Sequence, residues 1–144
     1  MGLVNFKCIE IRRLTPTEVI SNNYTRFLED NYPLLSTIEI KHIVLNCRKF
    51  IESYLPECPY LPIYYFKKIS DISKYKPNLL LITLILISVK WIEDNYPNNS
   101  GIAKIFNLDK YELNKCELDV LVDLDYSLFI STENYEFFLE NTIY

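Results

Sequence analysis

Glycine is almost missing from this chain, with two in 144 residues, Gly2 and Gly101. Glycine-rich phosphate loops need several glycines at fixed spacing, so nucleotide-binding signatures of that kind are excluded, and no GxSxG nucleophile turn is present either. There is a single histidine, His42. No second imidazole is available to pair with a nucleophile or to build a histidine-based metal set, and His42 reads as a surface or edge residue. The four cysteines, Cys8, Cys47, Cys58 and Cys116, show no CxxC spacing, so no metal site is expected. A basic stripe is also lacking. The net charge is −4, and the pairs Arg12-Arg13, Arg48-Lys49 and Lys67-Lys68 are each followed by an apolar residue. Neutralising a phosphate backbone takes a concentrated positive surface, so no nucleic-acid partner is expected and these pairs read as solvated helix faces.

Long hydrophobic runs are missing too. The most apolar stretch extends only from Leu79 to Val89 before Lys90 interrupts it, whereas a membrane span needs about 20 such residues. It reads as a buried helix, and no membrane partner is expected. The start Met1-Gly2-Leu3-Val4-Asn5-Phe6 has the glycine of a myristoylation signal but Phe6 where serine or threonine is required. Acid pairs such as Glu29-Asp30 and Glu93-Asp94 fall at helix ends, where water solvates them. With no nucleophile, acid–base pair or phosphate loop, the chain is not expected to be an enzyme, to carry a cofactor or to take a small-molecule substrate.

Hydrophobic residues make up 49% of the chain and charged residues 24%, enough for one well-packed core. A chain of this length buries roughly 68–70% of its unfolded surface. Cys47 and Cys116 fall on apolar helical stripes, as free thiols do in a reducing compartment, so cytosol or nucleus is the expected location.

Helix punctuation is legible throughout. Thr15-Pro16-Thr17-Glu18 combines a capping box with a proline at the first helical position. The helix it opens carries Val19, Ile20, Tyr24, Phe27 and Leu28 and is stopped by Pro33. Ser36-Thr37-Ile38-Glu39 is a second capping box, followed at helical spacing by Ile40, Ile43, Val44, Cys47, Phe50, Ile51 and Tyr54. After Pro56 and Pro59, a shorter helix is marked by Tyr65, Phe66, Ile69 and Ile72. The Leu79–Val89 run is apolar nearly all round, which a helix tolerates only when neighbours enclose it. It continues without a breaker towards Pro97, too long for a strand. Ser100 is expected to cap a short helix with Ile102, Ala103, Ile105 and Phe106. Asp109 should cap the next, carrying Leu113, Cys116, Val120, Leu121 and Leu124. A last helix starts at Thr132, with Tyr135, Phe138 and Leu139. No repeat or strand alternation is visible, so the fold is expected to be all-α, with about five core helices and flanking ones.

Two charges do not suit a plain bundle. Lys90 interrupts the enclosed helix near its end, and Glu117 lies between Leu113 and Val120 on an apolar stripe. A buried charge without a partner costs several kcal/mol. Either Lys90 snorkels to water and Glu117 sits at the stripe's edge, or the two meet as a pair on a surface that a partner covers.

The segments Lys90-Trp91-Ile92-Glu93-Asp94-Asn95-Tyr96-Pro97-Asn98-Asn99, Ala103-Lys104, Glu112 to Leu121, and Leu124-Asp125-Tyr126-Ser127-Leu128 together resemble a cyclin box. They most resemble the P/U type, whose pattern runs roughly K-aromatic-x-D-D-x-x-Y-x-N, then A-K, then E-L-N-x-L-E-x-x-F-L-x-x-L-D-aromatic-x-L. The resemblance spans about Ile38 to Phe138 and is strongest after Leu79. It implies a single five-helix cyclin box at residues 36–130, an N-terminal segment and flanking helix at 1–35, and a C-terminal flanking helix at 131–144, with no second box. It implies a regulatory subunit that binds and activates a cyclin-dependent protein kinase by repositioning its C-helix and activation loop, with all chemistry on the partner. Lys90 and Glu117 occupy the lysine and glutamate positions with which cyclins grip the kinase backbone. By the same resemblance Ile87, Trp91, Leu121, Tyr126 and Leu128 supply the apolar part of that face.

The chain departs from the pattern in places. The aromatic-x-D-R of the second core helix reads Tyr65-Phe66-Lys67-Lys68, which lacks an acid. The V-G-G-I-S before the fifth reads Ile105-Phe106-Asn107-Leu108-Asp109, and the first core helix has no M-R-A-I-L substrate-docking sequence. A cyclin-fold adaptor that does not activate a kinase is the alternative these departures leave open. A transcription-type cyclin fold that binds nucleic acid would be expected to show a basic surface.

Overall fold

Pro16 opens α1 (Pro16–Asn31) in a computed structural model that describes residues 16–144. Gly2, Cys8, Arg12-Arg13 and the Thr15 half of the first capping box lie outside the described residues. The described chain is all-helical and falls into two compact units, one comprising residues 16–59 with 132–144, the other residues 60–131.

In the first unit, α1 packs against α2 (Thr37–Tyr54). The expected capping box at the start of α2 is formed in both directions. Ser36 Oγ accepts from Glu39 N–H at 3.1 Å, and Glu39 Oε1 accepts from Ser36 N–H at 3.1 Å, so two otherwise orphaned donors are satisfied. The α2 stripe Ile40, Ile43, Val44, Cys47, Phe50 and Ile51 is buried as its spacing requires. On α1, Val19, Tyr24, Phe27 and Leu28 are buried, while Ile20 is only half-buried. Polar ties connect the elements. Thr17 Oγ1 donates to Glu52 at 2.7 Å, the Tyr24 hydroxyl to the Pro59 carbonyl at 2.5 Å, and Arg26 to the Ile143 carbonyl at 2.5 Å. The last bond holds the C-terminal turn, where α7 (Thr132–Phe138) passes into a π-helical turn at Leu139–Ile143.

The second unit holds α3 (Leu61–Phe66), a 3-10 turn at Ile72–Lys74, α4 (Pro77–Ile92), α5 (Asn99–Ile105) and α6 (Lys110–Asp123). Together with α2 of the first unit, five α-helices lie within residues 36–130. The helix expected to reach Ile72 ends instead at Phe66. Asp71 Oδ1 accepts from Ser73 N–H at 3.1 Å, offering the backbone a local bond that competes with helix continuation. Within α4, every residue from Leu80 to Val89 is buried, and the helix packs against α3 and α6. The two polar side chains within that stretch are satisfied on the helix's own backbone. Thr83 Oγ1 donates to the Leu79 carbonyl and Ser88 Oγ to the Leu84 carbonyl, each at 2.7 Å; left unpaired, such a hydroxyl costs about 1–3 kcal/mol. The helix stops at Ile92, short of Pro97, because Glu93 turns extended at φ −106° and ψ 141°.

Both ends of α5 differ from the expectation in an instructive way. The cap is Asn98, not Ser100: Asn98 Oδ1 accepts from Gly101 N–H at 2.8 Å. Asparagine and serine cap about equally well, and the earlier one lengthens the helix so that Asn99 belongs to it. At the other end Asn107 adopts φ 54°. Leu108 N–H bonds the Ala103 carbonyl at 2.7 Å and Asn107 N–H the Lys104 carbonyl at 3.4 Å, a Schellman turn. Asparagine tolerates this left-handed conformation better than other non-glycine residues, which explains how the chain turns where the cyclin pattern has glycine. Among the described residues no helix is long and apolar enough to cross a membrane.

Leu84, 0% exposed at the middle of α4, is the natural probe of this packing. Leu84→Ala should destabilise the chain by about 2–5 kcal/mol, read as a lower midpoint in urea unfolding. Leu45→Ala, at a position 47% exposed, should cost far less; equal losses would show that α4 is not tightly enclosed.

Candidate partner-binding site

The second unit brings Lys90 and Glu117 together. Lys90 lies in the last turn of α4, where a cation favours the negative helix end. Glu117 lies mid-way along α6, and its Oε2 accepts from Lys90 Nζ at 2.8 Å. The side chains are 29% and 14% exposed, so the pair is mostly withdrawn from water but keeps an open side. This geometry does not fit Lys90 snorkelling away and Glu117 sitting apart at the stripe's edge: the two side chains meet as a pair.

Further contacts fix the pair. Asn99, the first residue of α5, donates from Nδ2 to Glu117 Oε1 and to Asn114 Oδ1, each at 2.8 Å. Lys90 Nζ also stands 5.8 Å from the centroid of the Tyr96 ring, within cation–π reach. Asn99 and Tyr96 had no assigned role in the sequence reading. Both fall inside the segment that carries the cyclin resemblance, but only the fold shows that α5 comes back onto α6.

The other expected residues divide by exposure. Trp91 is 48% exposed and Tyr126 60% exposed, and Leu121 and Leu128 are half-buried. Ile87 is a correction: at 2% exposed it belongs to the core of α4 and offers a partner almost no area, because the helix is buried continuously to Val89. Leu121 follows Glu117 by one helical turn and shares its face. Leu118 and Val122, each 57% exposed, lie beside Leu121 on α6. Sequence reasoning missed them because α6 is apolar on more than one face and only its buried stripe was assigned.

The end of α6 is built by a second Schellman turn. Tyr126 N–H bonds the Leu121 carbonyl and Asp125 N–H the Val122 carbonyl, each at 2.9 Å. Asp125 and Tyr126 both have positive φ, 55° and 53°. For a bulky side chain this is a strained conformation, the left-handed region costing roughly 1–2 kcal/mol per residue, and strain of this kind persists only where surroundings hold it. Two anchors do so. The Tyr65 hydroxyl donates to the Leu128 carbonyl at 2.6 Å. On the other side Asp123 accepts from the Tyr75 hydroxyl and pairs with Lys74 at 2.9 Å, tying the end of α6 to the segment before α4.

The hydrogen bond from Tyr75, and secondarily the Lys74 ammonium, hold the Asp123 carboxyl below the usual carboxylate range. Burial and the same carboxylate push the Tyr75 phenol well up. Burial also raises the Cys47 thiol to about 12 and, to a lesser degree, the Cys116 thiol, so neither is a ready nucleophile. Cys47, Cys58 and Cys116 are all buried. No group of three or more histidine, cysteine, aspartate or glutamate side chains among the described residues could hold a metal ion.

Comparison with known proteins agrees with this architecture. Residues 37–128 match the protein family described as Cyclin. Relatives include Cyclin-U4-3 of Arabidopsis thaliana, 28% identical over 86 residues, which are 60% of this chain and 35% of that protein. Cyclin-U2-2 of Arabidopsis thaliana is 39% identical over 57 residues, 40% of this chain and 25% of that protein. Cyclin-P3-1 of Oryza sativa subsp. japonica is 34% identical over 56 residues, 39% of this chain and 24% of that protein. The aligned stretches thus span between 24% and 35% of these three relatives. No solved structure matches. A box of α-helices whose match runs from the start of α2 to the turn after α6 defines the class, and the chain belongs to the cyclin family.

The Asp123 anchor has a definite pH signature. A carboxyl whose folded pKa is depressed stabilises the fold above its unfolded value of about 3.9, and that contribution is lost as pH falls through the folded value. In a carbon-13 titration Asp123 should therefore ionise below the usual range in the folded chain, and Tyr75→Phe should move it upward. An Asp123 titration unchanged by Tyr75→Phe would show that the phenol is not its main partner.

Proposed function

We propose that this chain is a regulatory subunit of the P/U cyclin type that binds a cyclin-dependent protein kinase and activates it by repositioning the kinase's C-helix and activation loop. The observation that carries the reading is the Lys90–Glu117 pair: two charges from different helices, 2.8 Å apart and only partly exposed, in a chain of the cyclin family. Exposed apolar side chains adjoin them at Trp91 and Leu118, and others follow at Val122 near the end of α6 and at Tyr126 just after it. A rim of partly buried charge beside exposed apolar and aromatic area suits a protein partner.

In this reading Lys90 and Glu117 bond backbone groups of the kinase, using donors and acceptors left over from their mutual contact. Lys90 has three N–H donors and spends one on Glu117, and each carboxylate oxygen can accept two bonds. Trp91, Leu121, Tyr126 and Leu128 pack around them, and Ile87 contributes only through the core. The kinase supplies catalysis and nucleotide binding, this chain supplies none, and both act in cytosol or nucleus. The box at residues 36–130 is the working part, with 1–35 and 131–144 flanking it.

A second reading, a cyclin-fold adaptor without activating power, is favoured by one observation. The second core helix is followed by exposed Lys67 and Lys68 where the cyclin pattern has an acid. An activity measurement separates the two readings.

Lys90→Ala or Glu117→Ala should weaken binding to the kinase by roughly 30-fold to 4,000-fold, the equivalent of about 2–5 kcal/mol for breaking one side of a buried charged contact. The checks are calorimetric titration and phosphorylation of a peptide substrate, with exposed Lys49→Ala as control. If both variants bind as tightly as the control, the site assignment is wrong. If the wild-type chain binds tightly yet phosphorylation does not rise, the adaptor reading replaces activation.

A further inference from the structure

We infer that Asn99 is a positioning residue: it clamps the Glu117 carboxylate so that the Lys90–Glu117 pair is held in binding geometry before any partner arrives. This rests on the kinase-binding reading of that pair and adds to it a residue outside the partner-facing set.

The argument begins with hydrogen-bond capacity. A side-chain amide has two N–H donors and one acceptor oxygen. Asn99 spends its Nδ2 on two acceptors, Glu117 Oε1 and Asn114 Oδ1, both at 2.8 Å. Rotating the amide by a half-turn would set Asn99 Oδ1 against those two oxygens, so the contacts themselves fix its orientation. Glu117 then has one oxygen on Asn99 of α5 and the other on Lys90 of α4. A flexible side chain on α6 is thereby held from two sides, and Asn99 is held in turn by Asn114, one turn before Glu117 on the same helix.

The arrangement is not optimised for stability. Asn99 Oδ1 is buried without a hydrogen-bond partner, which is unfavourable in any folded protein. Nor does the helix need this residue for its cap, since Asn98 performs that task. The two donors of Asn99 are thus committed to the side chains of Glu117 and Asn114 on α6. Immobilising a rotamer-rich side chain before association removes an entropic cost from binding. Local backbone places it: the Asn98 cap starts α5 at Asn99, and the Asn107 turn carries the chain back onto α6.

The test uses the full chain, Asn99→Ala, and a purified PSTAIRE-type cyclin-dependent kinase as probe. Asn99→Ala should weaken kinase binding about tenfold, and this loss should vanish when Glu117→Ala is already present, because the effect runs through Glu117. Equal losses in both backgrounds would assign Asn99 a merely structural role and overturn the inference. Full-strength binding by Asn99→Ala, with Glu117→Ala impaired, would overturn it while leaving the kinase reading intact. A second measurement on the free chain needs no kinase. Carbon-13 relaxation of the Glu117 side-chain methylenes should report a rigid group in the wild type and a mobile one in Asn99→Ala, while amide spectra elsewhere stay unchanged. Unchanged Glu117 order contradicts the inference even if Glu117→Ala proves harmless to binding and the kinase reading falls.

Discussion

A helix buried along ten consecutive residues is the constraint on which the second unit depends. From Leu80 to Val89 every residue of α4 is withdrawn from water, and a helix with no polar face can persist only if neighbours cover it. Each such leucine or isoleucine gains about 1.5–3 kcal/mol by burial, so α3 and α6 are held against α4 mainly by hydrophobic burial. Thr83 and Ser88 do not compromise this, because each hydroxyl returns to a carbonyl four residues back. Where the burial stops, at Lys90, charge appears. The position of the candidate site is thus a consequence of where the apolar run ends.

The site combines different kinds of support. Helix geometry sets Glu117 and Leu121 on one face of α6, and the turn after α6 turns on two left-handed residues, Asp125 and Tyr126. Tyr65 and the Lys74–Tyr75–Asp123 cluster hold that turn from separate segments. Asn99 bonds the charged pair directly, and the left-handed Asp125 and Tyr126 follow at the end of the same helix that carries Glu117.

Much of the fold was legible because its signals are local. The Ser36–Glu39 box, the α2 stripe and the enclosure of Leu79–Val89 follow from spacing alone, and Lys90 and Glu117 stood out because each interrupts an apolar pattern. Local rivalry produced the errors. Ser100 and Asn98 are near-equal caps, and Asp71 captures a backbone N–H that a longer helix would have used. Ile87 was placed on a partner face by position in a pattern, although its neighbours' apolar character already implied burial. Asn99, Tyr96, Leu118 and Val122 could not be read in advance, since their roles depend on how α5 and α6 meet rather than on any one segment. The missing glycine before the fifth helix of the box reads differently in three dimensions, because Asn107 itself adopts a left-handed turn.

In the proposed function, the exposed side of the Lys90–Glu117 pair faces a kinase. Amide hydrogen exchange of the chain, free and saturated with a cyclin-dependent kinase, measures this directly. The account predicts added protection confined to the end of α4 around Lys90 to Ile92, to the middle of α6 around Glu117 to Val122, and to the Tyr126–Leu128 turn, with α1 unchanged. Protection that appears along α1 and α2 instead, with those three segments exchanging as in the free chain, would contradict it.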